Sequence, residues 1–198
     1  MKIIQRLLGV ALLAVGMAQT DASEIASKTE LGTALQDAIL CKPGTLDIPS
    51  AIDTFDGSDE SMVVVLTRLG VKVDRNNDSG DQTKVYIKYT LPPGVRVFGY
   101  AAKTAIFYAY LGAGDIFYVE LAGNRADLIK LKSDLRLTRI QKNNEDYGYR
   151  GQVDAQYYRR IHSPTAFDPY PDAIVAGHEY KGASNHIRIG CQTFDSPG

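Results

Sequence analysis

The chain predicts an α+β fold: a mostly antiparallel sheet, two or three flanking helices and one disulfide. Three observations carry this. Lys84 to Leu91 alternates Val85, Ile87, Tyr89 and Leu91 with Lys84, Tyr86, Lys88 and Thr90, the period of two expected of a half-buried strand. The apolar runs Thr104–Leu111 and Ile116–Ala122 are joined by Gly112-Ala113-Gly114-Asp115, a short Gly-rich link that reads as a hairpin turn. Between Ser27 and Cys41, by contrast, Leu31, Ala34, Leu35, Ala38 and Ile39 recur at the spacing of one helical face. Helices beside a mostly antiparallel sheet make the α+β class.

Length and composition bound the rest. With 198 residues, 44% of them hydrophobic and 23% charged, one globular domain is expected, placed over residues 23–195. The 22 Lys and Arg against 23 Asp and Glu leave a formal charge of −1, without the concentrated basic field that nucleic-acid binding requires.

In chain order, residues 1–22 read MKIIQRLLGVALLAVGMAQTDA. Lys2 and Arg6 precede an apolar run from Leu7 to Met17, long enough for a signal-peptide core and too short to span a bilayer. Cleavage is expected after Ala18, making residues 1–18 the signal peptide, with Ala22 as the alternative site. The mature chain would then carry 20 basic against 23 acidic residues. Export to a bacterial periplasm, or secretion, follows. No later stretch has the length and apolarity of a membrane helix.

The helix over Ser27–Cys41 should stop at Lys42-Pro43-Gly44, with Gly44 in the left-handed cap. Residues 45–60 read as a loop. Ser61–Leu69 is ambiguous between a buried strand and a helix; Met62, Leu66 and Leu69 in one stripe, with Gly70 after them, favour the helix. Asp74–Asp81 reads as a solvated turn. After the strand over Lys84–Leu91, Pro92-Pro93-Gly94 breaks the run and Val95–Phe98 resumes it. Asn124 can cap a helix carrying Leu128, Leu131 and Leu135 on one face. Residues 141–155 read as a loop and Gln156–Ile161 as a strand. Ala173–Tyr180 and Asn185–Gln192 form a last hairpin, with Ile187, Ile189 and Cys191 facing one way.

The cysteines, Cys41 and Cys191, are expected to form a structural disulfide in an oxidising compartment, tying the first helix to the last strand. Closing a loop of that length contributes roughly 5 kcal/mol as an upper figure in the chain-entropy model.

No motif reaches a catalytic or cofactor assignment. Starting from Asp74, a calcium loop fails at Ser79, where Gly is needed, and at Val85, where Glu is needed. Gly112-Ala113-Gly114 lacks both the last Gly and the following helix of a dinucleotide fingerprint. Gly182-Ala183-Ser184-Asn185-His186 departs from a nucleophile elbow at its fifth residue. His178 and His186, with Glu179, would lie on the two strands of the last hairpin and could hold zinc or act as an acid/base pair, though Glu179 and His178 should point to opposite faces. His162 stands alone.

The tyrosines give a different signal. Tyr147, Tyr149, Tyr157, Tyr158, Tyr170 and Tyr180 crowd the C-terminal third among Arg150, Arg159, Arg160 and Arg188. Tyr and Arg are enriched at recognition surfaces, and Tyr is also an ordinary strand residue. The expected function is therefore a non-catalytic protein-binding or inhibitor/immunity-type module. It would capture an envelope or toxin protein through Tyr157, Tyr158, Arg159, Arg160, Tyr180 and Arg188, without metal or cofactor. The alternative is a small periplasmic hydrolase or metal-dependent enzyme built on His178 and His186.

Overall fold

The structure is a computed structural model that describes residues 25–42, 60–75, 84–110, 114–141, 155–161, 172–178 and 186–193. Three helices lie among them, α1 (Lys28–Ile39), α2 (Glu60–Arg68) and α3 (Arg125–Asp134). The strands are β1 (Lys72–Arg75), β2 (Lys84–Thr90), β3 (Arg96–Val97), β4 (Tyr100–Tyr110), β5 (Gly114–Ala122), β6 (Thr138–Arg139), β7 (Tyr157–Arg160), β8 (Ala173–His178) and β9 (His186–Gln192). All strand pairs are antiparallel, in the order β1-β2-β4-β5-β9-β8-β7-β6, with β3 on the first residues of β4. The ambiguous Ser61–Leu69 segment is the helix α2, and its Leu66 is buried.

Helix ends follow local chemistry. Ser27 Oγ accepts from the Glu30 N–H at 3.2 Å, while the Glu30 carboxylate accepts from the Ala26 N–H at 2.8 Å. One orphan donor of the first turn, the Glu30 N–H, and the N–H of Ala26 just ahead of the cap are thereby satisfied at the start of α1. The Ser27 hydroxyl, then the Ala26 N–H, hold the Glu30 carboxyl below its ordinary pKa. Asn124 and Asp127 form a full capping box on α3, where the Asp127 carboxylate accepts from the N–H of the N-cap residue itself. At the other ends, all three helices close with paired backbone bonds around a left-handed residue: Cys41 (φ 50), Gly70 (φ 86) and Arg136 (φ 55). Gly70 matches expectation. For α1 the left-handed position is Cys41, three residues before Gly44, because the Lys42 N–H bonds back to the Asp37 carbonyl. Gly44 lies outside the described residues.

The disulfide joins Cys41 to Cys191, with Cα atoms 5.3 Å apart, and ties the end of α1 to β9 as expected. It sits within the main core, on the sheet face bearing Tyr89, Phe107, Phe117, Leu121, Ile174 and Ile189, against which Leu31 and Leu35 of α1, Leu66 of α2 and Leu128 and Leu131 of α3 pack. Contact between α1 and the sheet is close enough that a methyl group on Gly32 would overlap the Arg96 carbonyl. The opposite face carries a second buried cluster, including Ile106, Ile116, Tyr118, Tyr158, Ala173 and Val175.

Some boundaries differ from the sequence reading. Asp74 and Arg75, read as part of a turn, belong to β1, because β2 supplies a ladder partner for every residue of that short strand. Its exposed Lys72, Asp74 and Arg75 place charge along the sheet edge, a common guard against further strand pairing. Gly114 and Asp115 extend β5 rather than the hairpin link. Tyr100–Lys103 join β4 ahead of the expected start at Thr104, since a two-residue turn at Phe98 (φ 51) and Gly99 (φ 83) folds β3 back onto them. The strand β6 was also not anticipated.

Candidate functional site

Strand alternation decides which of the expected binding residues can act together. In β7, Tyr158 is paired with Val175 and Arg160 with Ala173, which puts both on the second-cluster face. Tyr157 and Arg159 are paired with Ala176 and Ile174, on the face of the main core, and Tyr157 packs against that core. The four consecutive residues are therefore divided two and two. In β9, Ile187, Ile189 and Cys191 point into the main core, so Arg188 joins Tyr158 and Arg160. Tyr180 lies outside the described residues, as do residues 1–18 and the Tyr147, Tyr149 and Tyr170 positions.

On the shared face, register brings in residues that the C-terminal clustering did not suggest. Glu120 of β5 stands opposite Arg188, and the Arg188 Nε donates to Glu120 Oε1 at 3.1 Å. Both side chains are only about one-fifth exposed (19% and 21%), so this ion pair is screened less than a surface pair. The Arg188 guanidinium also lies 5.8 Å from the ring centroid of Tyr118, and that of Arg160 lies 5.8 Å from Tyr158. Tyr86 and Tyr108 flank the cluster, half-buried. Burial, then the negative charge of Glu120 and Asp74, pushes the Tyr86 phenol above its ordinary pKa, with Arg188 opposing in part. The sequence signal for Tyr86, Tyr108 and Tyr118 was the alternation of their own strands. What it lacked was the strand order that sets them beside Arg188.

The histidine pair is separated by register. His178 stands opposite Ile187, one residue away from His186. His178 therefore shares the main-core face, whereas His186 shares the face of Arg188. An acid/base pair or a two-imidazole metal site requires both rings on one face, so this hairpin does not bring them together. No group of three or more His, Cys, Asp or Glu side chains among the described residues is placed to hold a metal ion. Glu179 and Ser184 lie outside them. His186 instead meets a lysine: Lys103 Nζ is 2.7 Å from His186 Nε2.

No helix among the described residues is long and apolar enough to cross a membrane. Compared with family models, characterised proteins and solved structures, the chain matches none.

Proposed function

We propose that the protein is exported by residues 1–18 to a periplasm and acts there as a non-catalytic module that binds an envelope or toxin protein. The observation that supports this reading best is the pair of guanidinium–tyrosine contacts, Arg188 over Tyr118 and Arg160 over Tyr158, on one face of a continuous sheet. Arg and Tyr are the residue types that carry binding energy at interfaces. Side chains already held against a rigid sheet lose less conformational freedom on binding than free ones, which lowers the cost of association. The buried disulfide is consistent with an oxidising compartment.

Alternation narrows the proposed surface to the face of Tyr158, Arg160 and Arg188 and supplies its own control, because Arg159 points the other way. Immobilised oxidised protein would be challenged with native envelope extract beside the variants Arg160→Ala and Arg159→Ala, each checked for an unchanged melt. The reading expects one stoichiometric partner that Arg160→Ala loses and Arg159→Ala keeps. Loss on Arg159→Ala alone would move the surface to the other face. Absence of any stoichiometric partner would overturn the reading.

A further inference from the structure

The geometry points to an oxyanion-binding site at Lys103 and His186, taking a carboxylate or phosphate group independently of the protein-binding reading. Between Ala102 and Thr104 the pairing of β4 with β5 shifts, leaving Lys103 as the extra residue of a bulge. Bulges re-aim side chains, and they recur beside functional sites. Here the Lys103 side chain crosses β5 to reach β9. The β5 residue opposite His186 is Ala122, whose small side chain leaves room for the two long ones to meet. They do so in an exposed position, Nζ to Nε2 at 2.7 Å.

With Lys103 as an ammonium, which has only protons to offer, the contact assigns Nε2 as the acceptor and the ring proton to Nδ1. Among the described residues, the lysine charge in this assignment rests on a neutral base and not on an acid. Among the described residues, the other charged side chains on this face of the surrounding strands are Arg188 of β9, Glu120 of β5 and Lys88 of β2, with Asp74 and Lys72 of β1 beyond it and Gly177 of β8 adding none; Glu120 already accepts from Arg188. Lys103 thus stands as a cation beside a group that becomes a second cation by taking up a proton. An arriving oxyanion would accept from Lys103 Nζ, while Nε2 gains a proton from solvent and turns from acceptor to donor. Two charge-assisted hydrogen bonds then converge on the anion, with one proton moved from solvent onto Nε2 as a new N–H bond and the anion itself unchanged.

The test titrates the oxidised full chain with inorganic phosphate and with acetate, at constant ionic strength with chloride as the background anion. It follows the His186 ring resonances by NMR and the binding heat in buffers of different ionisation enthalpy. The site predicts a saturable shift, about one proton taken up per anion, and roughly tenfold weaker binding in Lys103→Gln or His186→Gln, as loss of one charge-assisted bond implies. Ala122→Val, which keeps both groups but fills the space between them, should also weaken binding, while Arg159→Gln should leave it unchanged. Saturation by either anion supports the site, and the anion that saturates separates phosphoryl from carboxylate ligands. A shift that never saturates overturns it, as does binding that folded Lys103→Gln retains in full.

Discussion

Gly190 lies opposite Tyr118 across β5 and β9, so close that a methyl group on it would stand 2.7 Å from Tyr118 Cα and overlap the Phe117 carbonyl oxygen. Those obstacles are backbone atoms of a central strand, and they cannot swing aside as a side-chain tip can. The glycine is required by packing, not by its φ. Gly190→Ala is expected to cost about 3 kcal/mol, the upper end of overpacked core positions, because the obstacle is backbone. Gly99 is the contrasting control: its φ is +83, yet no heavy atom lies within 4 Å of an added methyl. Gly99→Ala should cost only the backbone strain, roughly 1 kcal/mol. Urea unfolding of the two variants should separate steric from conformational demand, and equal losses would refute the distinction.

That pair of glycines also shows what was legible in the sequence. Strong periodicity located α1, β2, α3 and β9, because each buries one face and the residues record it. The four residues of β1, three of them exposed, carry no such record, and their extended state comes from pairing with β2. The disulfide was readable since only one pairing of two cysteines exists. For the candidate face, the consecutive run Tyr157-Tyr158-Arg159-Arg160 suggested one patch, but a strand divides neighbours between its faces. Tyr118 and Glu120 became partners of Arg188 only through the adjacency of β5 and β9, strands separated by more than sixty residues of chain, about which local pattern is silent.

Arg136 occupies the left-handed position after α3, at φ 55, where the Leu137 N–H bonds to the Lys132 carbonyl at 2.8 Å. A side chain in that conformation costs about 1 kcal/mol that glycine does not incur, and the exposed arginine offers little packing in return. Arg136→Gly is therefore expected to stabilise the protein by roughly 0.5–1 kcal/mol, less whatever extra freedom glycine gives the unfolded chain. A rise of a few degrees in melting temperature is the corresponding readout for a chain of this size, and a fall would show that the arginine makes a compensating contact.

Cys41 holds the same left-handed position after α1, and there the covalent bond to fully buried Cys191 fixes it. Reduction releases α1 from the last strand and restores the freedom of a loop spanning 150 residues. Loss of the bridge, by reductant or in the Cys41→Ala/Cys191→Ala double variant, should cost about 2–5 kcal/mol and lower the urea midpoint accordingly. If reduced and oxidised proteins unfolded at the same midpoint, the bridge would be dispensable to the fold.

Tyr86 links stability to pH through the candidate face. Burial first, then Glu120 and Asp74, raise its phenol pKa in the folded state above the unfolded value. A group of this sign holds its full stabilisation below the unfolded pKa, near 10 for tyrosine, and loses it as pH rises toward and through the folded pKa. The protein should thus lose stability above about pH 10, and Tyr86→Phe, which cannot ionise, should flatten part of that decline. The charges predict how the site-specific titration moves. Glu120→Gln removes a repelling carboxylate and should bring the Tyr86 titration down, whereas Arg188→Gln removes an opposing cation and should send it up. Phenolate absorbance, read as the difference between each protein and its Tyr86→Phe counterpart, measures both shifts. Movement in opposite directions requires Tyr86, Glu120 and Arg188 to sense one another on the same side of the sheet; titrations that both stay in place would separate Tyr86 from the Arg188–Glu120 pair.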